Sequence, residues 1–291
     1  MRILIAVANR STGSFVGRPS WYQQILRPTL LSYCSIPCRS ASPSAAAWTW
    51  AEAAEECRRM NRQKSVLYLA NKGLQLDLTA HAMAKLLSRY ELFKKVLNLP
   101  GDIVDCGVYR GASLFTWANL IEIFAPHSQK VVIGFDTFSG FAGDLHLPED
   151  KENATRLMED RQKFLPRSPE ELHSIAKSLG LGHRIKLVLG DAVRTIPEFV
   201  QTNRGIRFSL LHIDFDVYEP TAAALESLFS LLVPGGIVVL DEYGNKGWGE
   251  SDAVDNFFSG QNVKFERFGW SPGPAAFIVK NTGRLRKTSA N

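Results

Sequence analysis

Four carboxylates stand where two apolar runs stop. Phe208-Ser-Leu-Leu-His-Ile-Asp-Phe-Asp216 and Ile237-Val-Val-Leu-Asp-Glu-Tyr243 each read as a strand buried on both faces, apolar until an acidic end. Asp214 and Asp216 close the first strand, and Asp241 and Glu242 close the second. If the strands are adjacent and parallel, four acids share a partly dry cleft, where a cation or bound protons must offset their repulsion. Oxygen ligands without His or Cys favour a hard divalent ion, Mg²⁺ before others. Asp214 and Asp216 are two apart, so on a strand they leave the same face. The competing reading makes some of these acids helix N-caps or lysine partners. His212 has the same parity but lies deeper, and reads as a satisfied core histidine.

A second constellation comes earlier, in Gly101-Asp-Ile-Val-Asp-Cys-Gly-Val-Tyr-Arg-Gly-Ala-Ser-Leu-Phe115. The apolar pair Ile103-Val104 reads as a buried strand, followed by Asp105, Gly107 and Gly111. Leu114, Trp117, Leu120 and Ile121 then recur at helical spacing. Strand, glycine turn and helix build a nucleotide pocket at the carboxyl ends of a doubly wound sheet. Gly107 is expected to let the backbone approach a ligand, and Gly111 to let helix and strand pack closely. The Asp-x-Gly-x-x-x-Gly spacing is not the Gly-x-Gly-x-x-Gly of pyrophosphate binders. An acid before the first glycine suits a cationic amine, such as the methionine end of S-adenosylmethionine. Asp136, ending the run Lys130-Val-Val-Ile-Gly-Phe-Asp136, is placed for ribose hydroxyls, and Asp191 after Gly190 for an adenine amino group. Arg110 reads either as a partner of the cofactor carboxylate or as packing.

A metal beside a methyl donor suggests a mechanism. The ion binds an acceptor hydroxyl, lowers its pKa and aligns its oxygen with the sulfonium methyl, while a carboxylate takes the proton. The residues assign Asp214, Asp241 and Glu242 to the metal and Asp216 to the base. Tyr243 and Trp248 read as acceptor-pocket residues or as ordinary loop residues.

The elements that must position these groups form an α/β chain. A helix is expected over residues 72–97, stopping at Leu99-Pro100-Gly101, and a modest one over 51–60. Residues 137–182 are a long insertion, read as a lid or binding loop with a helix near 170–179. Residues 181–189 make a third strand, a helix covers 220–232, and Pro234-Gly-Gly236 is expected to break the chain before the fifth strand. A helix over 253–258 and a hairpin of 264–270 with 275–280 close the domain. The expected fold is a doubly wound, mostly parallel, seven-stranded Rossmann-like sheet with a C-terminal antiparallel hairpin and an N-terminal helical extension.

The chain has 291 residues and a formal net charge of +5. Residues 1–51 hold five arginines (Arg2, Arg10, Arg18, Arg27 and Arg39), no lysine and no acid, so the body of the chain nets to zero. A neutral body without an aromatic-basic stripe argues against nucleic acid as partner. No stretch is apolar enough to span a bilayer. Residues 1–50 read as a disordered basic extension, a transit-like segment, or sequence upstream of a start at Met60 or Met83. Residues 51–100 read as a helical cap, 101–280 as the catalytic domain and 281–291 as a basic tail. The cysteines Cys34, Cys38, Cys57 and Cys106 lack zinc spacing and fit a reducing compartment. The expected location is cytoplasmic, or organellar if the first segment is a transit peptide.

Four quoted motifs, Gly101 to Gly111, Gly134-Phe-Asp-Thr-Phe-Ser-Gly-Phe141, His212-Ile-Asp-Phe-Asp-Val-Tyr-Glu-Pro220 and Val233-Pro-Gly-Gly-Ile-Val-Val-Leu-Asp-Glu-Tyr243, together resemble the macrocin O-methyltransferase (TylF/MycF) family of class I, S-adenosylmethionine-dependent enzymes. The resemblance runs roughly from Leu78 to Lys280. It implies Mg²⁺-dependent methyl transfer to a hydroxyl of a sugar or glycosylated small molecule, by a homo-oligomer. On it, Asp105, Gly107, Tyr109, Arg110, Gly111, Ser113, Asp136, Thr137, Phe138, Gly190, Asp191, Ala192 and Asp214 meet the cofactor. Asp214, Asp241 and Glu242 hold the metal, and Asp216 is the base. The chain departs from the family in carrying Asp105 where Glu is usual, and Glu242 where a second aspartate is common. The loops 142–168 and 244–252 do not carry over, so the acceptor stays open, a phenolic or catechol hydroxyl being the alternative. From a different class, the competing reading is a non-catalytic S-adenosylmethionine-binding protein.

Overall fold

A computed structural model describes residues 79–142, 144–159 and 166–281. The expected helix over 51–60, the first residues of the one over 72–97, the basic extension, the cysteines other than Cys106 and most of the tail lie outside them. The chain runs α1 (Ala80–Val96), β1 (Asp102–Cys106), α2 (Ala112–Phe124), β2 (Val132–Asp136), α3 (Pro148–Glu159), α4 (Pro169–Ser178), β3 (Ile185–Leu189), α5 (Ala192–Thr202), β4 (Phe208–Ile213), α6 (Tyr218–Leu228), β5 (Leu232–Leu240), α7 (Glu250–Phe257), β6 (Phe265–Glu266) and β7 (Ala276–Val279).

The strands form one seven-stranded sheet in the order β3-β2-β1-β4-β5-β7-β6. The first five are parallel, and β7 runs antiparallel to both β5 and β6. Strand order reverses between β1 and β4, which places the ligand crevice of a doubly wound sheet at their carboxyl ends.

Alternation along the strands feeds two cores. Val104, Ile133, Leu211 and Val238 pack with residues of α5, α6 and α7, and Ile103, Val132, Leu210 and Ile237 with residues of α1, α2 and α4. Burying each such aliphatic side chain stabilises the fold by about 1.5–3 kcal/mol. Helix starts follow local chemistry. Thr79 caps α1, Ser168 and Glu171 make a reciprocal capping box ahead of Pro169 in α4, and Asp191 caps α5.

Several expected boundaries move. β3 begins at Ile185, because Gly182–Arg184 turns as a short 3₁₀ helix first. β4 ends at Ile213, three residues before the expected end, and α6 runs Tyr218–Leu228, displaced toward the amino terminus. β5 starts at Leu232 and runs through Pro234-Gly-Gly236, which was expected to break the chain. It continues because Gly235 donates to the Lys280 carbonyl and Lys280 donates to that of Gly236, while the register to β4 shifts between Phe208 and Leu210. The 137–182 insertion contains α3 as well as the expected α4. Among the described residues, no helix is long and apolar enough to cross a membrane.

Candidate functional site

The turn after β1 takes its shape from its neighbour strand. Gly107 has φ 87°, and a Cβ there would lie 1.9 Å from the Asp214 carbonyl oxygen. Only glycine lets the ends of β1 and β4 come this close, a backbone constraint separate from the ligand approach expected at this position. Gly111 has φ 88°, and a Cβ there would strike Leu172 of α4 and Phe115, not the strand. The Asp136 carboxylate accepts from the Tyr109 amide at 2.8 Å and the Phe138 amide at 2.6 Å, tying this turn to the end of β2. Tyr109 and Phe138 both sit in the left-handed region, φ 49° and 54°, a conformation rare for such bulky residues. Burial pushes the Asp136 carboxyl up, against those amide bonds.

A cavity of about 320 Å³ opens here. Of the residues expected at the cofactor, Gly107, Tyr109, Asp136, Thr137, Gly190, Asp191, Ala192 and Asp214 line it, as does Asp216. Phe141, Ala142, Leu157 and Pro166 of the insertion form an apolar wall. Asp105, Arg110, Gly111, Ser113 and Phe138 are not on the cavity surface. Phe138 packs in the core beneath it. Asp191 also caps α5, its Oδ1 accepting from the Val193 amide.

Asp105 corrects the expectation of an amine ligand facing the pocket. It has no solvent exposure, its Oδ1 lies 2.6 Å from His212 Nδ1, and its Oδ2 accepts from Ser113 Oγ. The parallel register of β1 and β4 sets Asp105 opposite His212. His212 Nε2 lies 3.6 Å from Asp241 Oδ1, too far for a direct hydrogen bond. Burial opposes the charged imidazole, but the bond to Asp105 and the nearby Asp241 win and push His212 up to about 9. Asp241 in turn receives Lys85 Nζ at 2.9 Å and lies 3.8 Å from Arg89, both from α1. Against burial, His212, Lys85 and Arg89 hold its carboxyl below the usual range.

Because β4 stops at Ile213, Asp214 and Asp216 lie on a loop, and Asp216 takes φ 65°. The period-two argument for their common face therefore does not apply. Even so, one oxygen from each of Asp214, Asp216 and Glu242 lies within 4.8 Å of the other two. His212, Asp214 and Asp241 form a second such group, and no group contains Asp241 and Glu242 together. Burial and the adjacent Asp241 push Asp214 up to about 7. Burial, Asp214 and Glu242 push the Asp216 carboxyl well above its ordinary value.

Three further contributors were not singled out in the sequence. Glu250, fully buried, accepts the Glu242 amide on Oε1 and donates its own amide to the Asp216 carbonyl. Its Oε2 has no hydrogen-bond partner, and burial with the nearby Asp214 raises its carboxyl strongly. Its only sequence signal, an acid in the first turn of a helix, is the commonest surface pattern of all. Asp150 of α3, also buried, accepts the Gly249 and Tyr218 amides and so pins the insertion to the site. Lys85 is the third. Tyr243 and Trp248 do not line the cavity. Tyr243 stacks on Phe265 and donates to Asp255, and Trp248 stacks on Phe141.

Comparison with known proteins agrees with this architecture. The crystal structure of CalS11, a calicheamicin methyltransferase, superposes with a TM-score of 0.63 at 28% identity, covering 83% of this chain and 98% of that one. The 8-demethyl-8-(2,3-dimethoxy-alpha-L-rhamnosyl)-tetracenomycin-C 4'-O-methyltransferase of Streptomyces olivaceus is 30% identical over 153 residues, 50% of this chain and 54% of the relative. The demethyldecarbamoylnovobiocin O-methyltransferase of Streptomyces niveus is 25% identical over 185 residues, 60% and 66% respectively. The chain thus spans between half and two thirds of the length of these curated relatives. The macrocin O-methyltransferase (TylF) family model matches residues 72–266, and with the glycine turn, the sheet order and the paired acidic strand ends in place, the chain belongs to that family.

Proposed function

We propose that the protein is an S-adenosylmethionine- and Mg²⁺-dependent O-methyltransferase whose acceptor is a hydroxyl of a sugar or glycosylated small molecule. The observation that carries this reading is the acidic group of Asp214, Asp216 and Glu242 beside a cavity also lined by Gly107, Asp136 and Asp191. The rhamnosyl acceptor named for the Streptomyces olivaceus relative supports the substrate class. The residues suit a hard cation: the donors are all carboxylate oxygens, and the buried Glu250 Oε2 behind them has no partner. When bound, S-adenosylmethionine supplies an electrophilic methyl group and Mg²⁺ a Lewis acid that lowers the pKa of the acceptor hydroxyl.

The chain's own residues do the rest. Asp136, fixed by the Tyr109 and Phe138 amides, accepts from ribose hydroxyls. The wall of Phe141, Leu157 and Phe215 keeps water from the cleft and holds the apolar faces of ligands. Asp216, whose carboxyl is pushed up by burial and by the neighbouring Asp214 and Glu242, receives the acceptor's proton on a side-chain oxygen as general base.

The test is formation of S-adenosylhomocysteine and of a mono-methylated product, by mass spectrometry, with a panel of glycosides and phenols. Turnover on glycosides that stops with chelator and returns with Mg²⁺ is the expected result. Turnover indifferent to chelator removes the metal from the reading, and methylation of phenols alone removes the sugar.

A further inference from the structure

We infer that Asp150 is a positioning residue: its one carboxylate caps both helices that follow the acidic strand ends, and so ties the setting of Asp216 to the docking of the insertion helix α3. The inference rests on the methyl-transfer reading above, in which Asp216 takes the proton and Leu157 walls the cleft.

Helices α6 and α7 begin without caps of their own. Their N-cap residues are Val217 and Gly249, and neither supplies a side-chain cap bond. Asp150 serves both from a distant segment: its Oδ2 accepts the Tyr218 amide at 2.9 Å, and its Oδ1 accepts the Gly249 amide at 2.8 Å. It has no solvent exposure, and among the described residues no Lys, Arg or His forms an ion pair with it. Compensation for the buried carboxylate comes from these amides and from the positive ends of the two helices. The fit is close, since a Cβ on Gly249 would lie 2.4 Å from Asp150 Oδ2.

The two bonds bracket Asp216. Its φ of 65° is a conformation that a residue other than glycine keeps only when its surroundings over-determine it. Its carbonyl accepts the Glu250 amide at 3.0 Å, one residue after Gly249, and Tyr218 follows it by two. Asp150 therefore fixes the chain beside both of these contacts. On α3, Asp150, Ala154 and Leu157 recur at i, i+4 and i+7 and share one face. Asp150 and Ala154 are the buried residues of that helix, and Leu157 reaches the cavity. Little apolar surface holds α3, so polar ties dock it: Asp150, and Asn153, whose Nδ2 donates to the Gly247 carbonyl. Only the first of these reaches the amides beside Asp216. Releasing it moves the acceptor wall and the proton acceptor together.

The experiment is hydrogen–deuterium exchange of the full chain, read by mass spectrometry, with steady-state turnover on each glycoside or phenol that the parent methylates. Asp150→Ala is expected to raise exchange about tenfold or more in the peptides over 216–219 and 248–251 together, with unchanged exchange in β1 and β2 showing that it is folded. Its kcat should fall about tenfold or more, because the proton acceptor is misplaced. Asn153→Ala loosens α3 without touching those amides, and should raise the acceptor KM with kcat within about twofold of the parent. Asp150→Asn keeps the shape but leaves one acceptor for two amides. It is read instead if Asp150→Ala does not fold, with raised exchange at one helix start or both and the same loss of kcat. Unchanged exchange at both starts overturns the inference, and so does a rise in KM alone. A parent that methylates nothing on the panel overturns the methyl-transfer reading, and raised exchange at both starts then still supports the shared cap.

Discussion

Asp105 and His212 face each other across the β1–β4 pairing, Oδ1 to Nδ1 at 2.6 Å, both without solvent exposure. The contact joins the glycine turn to the acidic floor, since Ser113 of α2 bonds the other Asp105 oxygen and Asp241 lies beyond the imidazole. His212→Leu leaves Asp105 buried without its partner and should cost about 3–5 kcal/mol of stability, measured by urea unfolding. His212 has its folded pKa raised to about 9 from 6.5, so its contribution is complete below pH 6.5 and is lost as pH rises through 9. A fall in stability across that window, absent in His212→Gln, checks the assignment.

The acids on the other side give the same sign in a lower window. Asp214 is pushed to about 7 from 3.8, so the folded metal-free protein holds a proton that the unfolded chain has released. Its stability should fall as pH rises from 3.8 to about 7. Mg²⁺ is expected to raise the melting temperature more at pH 8 than at pH 5.5, because its ligands must be deprotonated. Equal shifts at both values would argue against these carboxylates as the site.

Glu250 should tolerate loss of charge but not loss of its acceptor. Its carboxyl is raised so far by burial that Glu250→Gln keeps both shape and protonation character, with an expected cost under about 1 kcal/mol. Glu250→Ala strands the Glu242 amide and opens a cavity, with an expected cost of about 2–4 kcal/mol in chemical denaturation.

Gly107→Ala places a methyl 1.9 Å from the Asp214 carbonyl at φ 87°. The ends of β1 and β4 must separate, with an expected loss of about 3 kcal/mol or more and loss of S-adenosylmethionine binding in calorimetry. Gly180→Ala, also at positive φ but with nothing within 4 Å, should cost about 1 kcal/mol and leave binding intact.

The sequence by itself determined the doubly wound architecture, because strand alternation, glycine punctuation and helix caps are local chemistry. Val104 and Ile103 feed opposite cores as their period-two spacing requires. It also placed Gly107, Asp136, Asp191, Asp214 and Asp216 at one cavity, since strand ends of a parallel sheet converge by topology. Only the tertiary structure decided what each carboxylate faces. Asp105 meets a histidine 107 positions away and Asp241 a lysine 156 positions away, and no local pattern encodes such pairs. The same holds for Pro234-Gly-Gly236, which read as a break until Lys280 supplied the backbone bonds that keep it in the strand. An acid's type is written in the chain, but its charge and role depend on the cation, proton or amide that folding brings beside it.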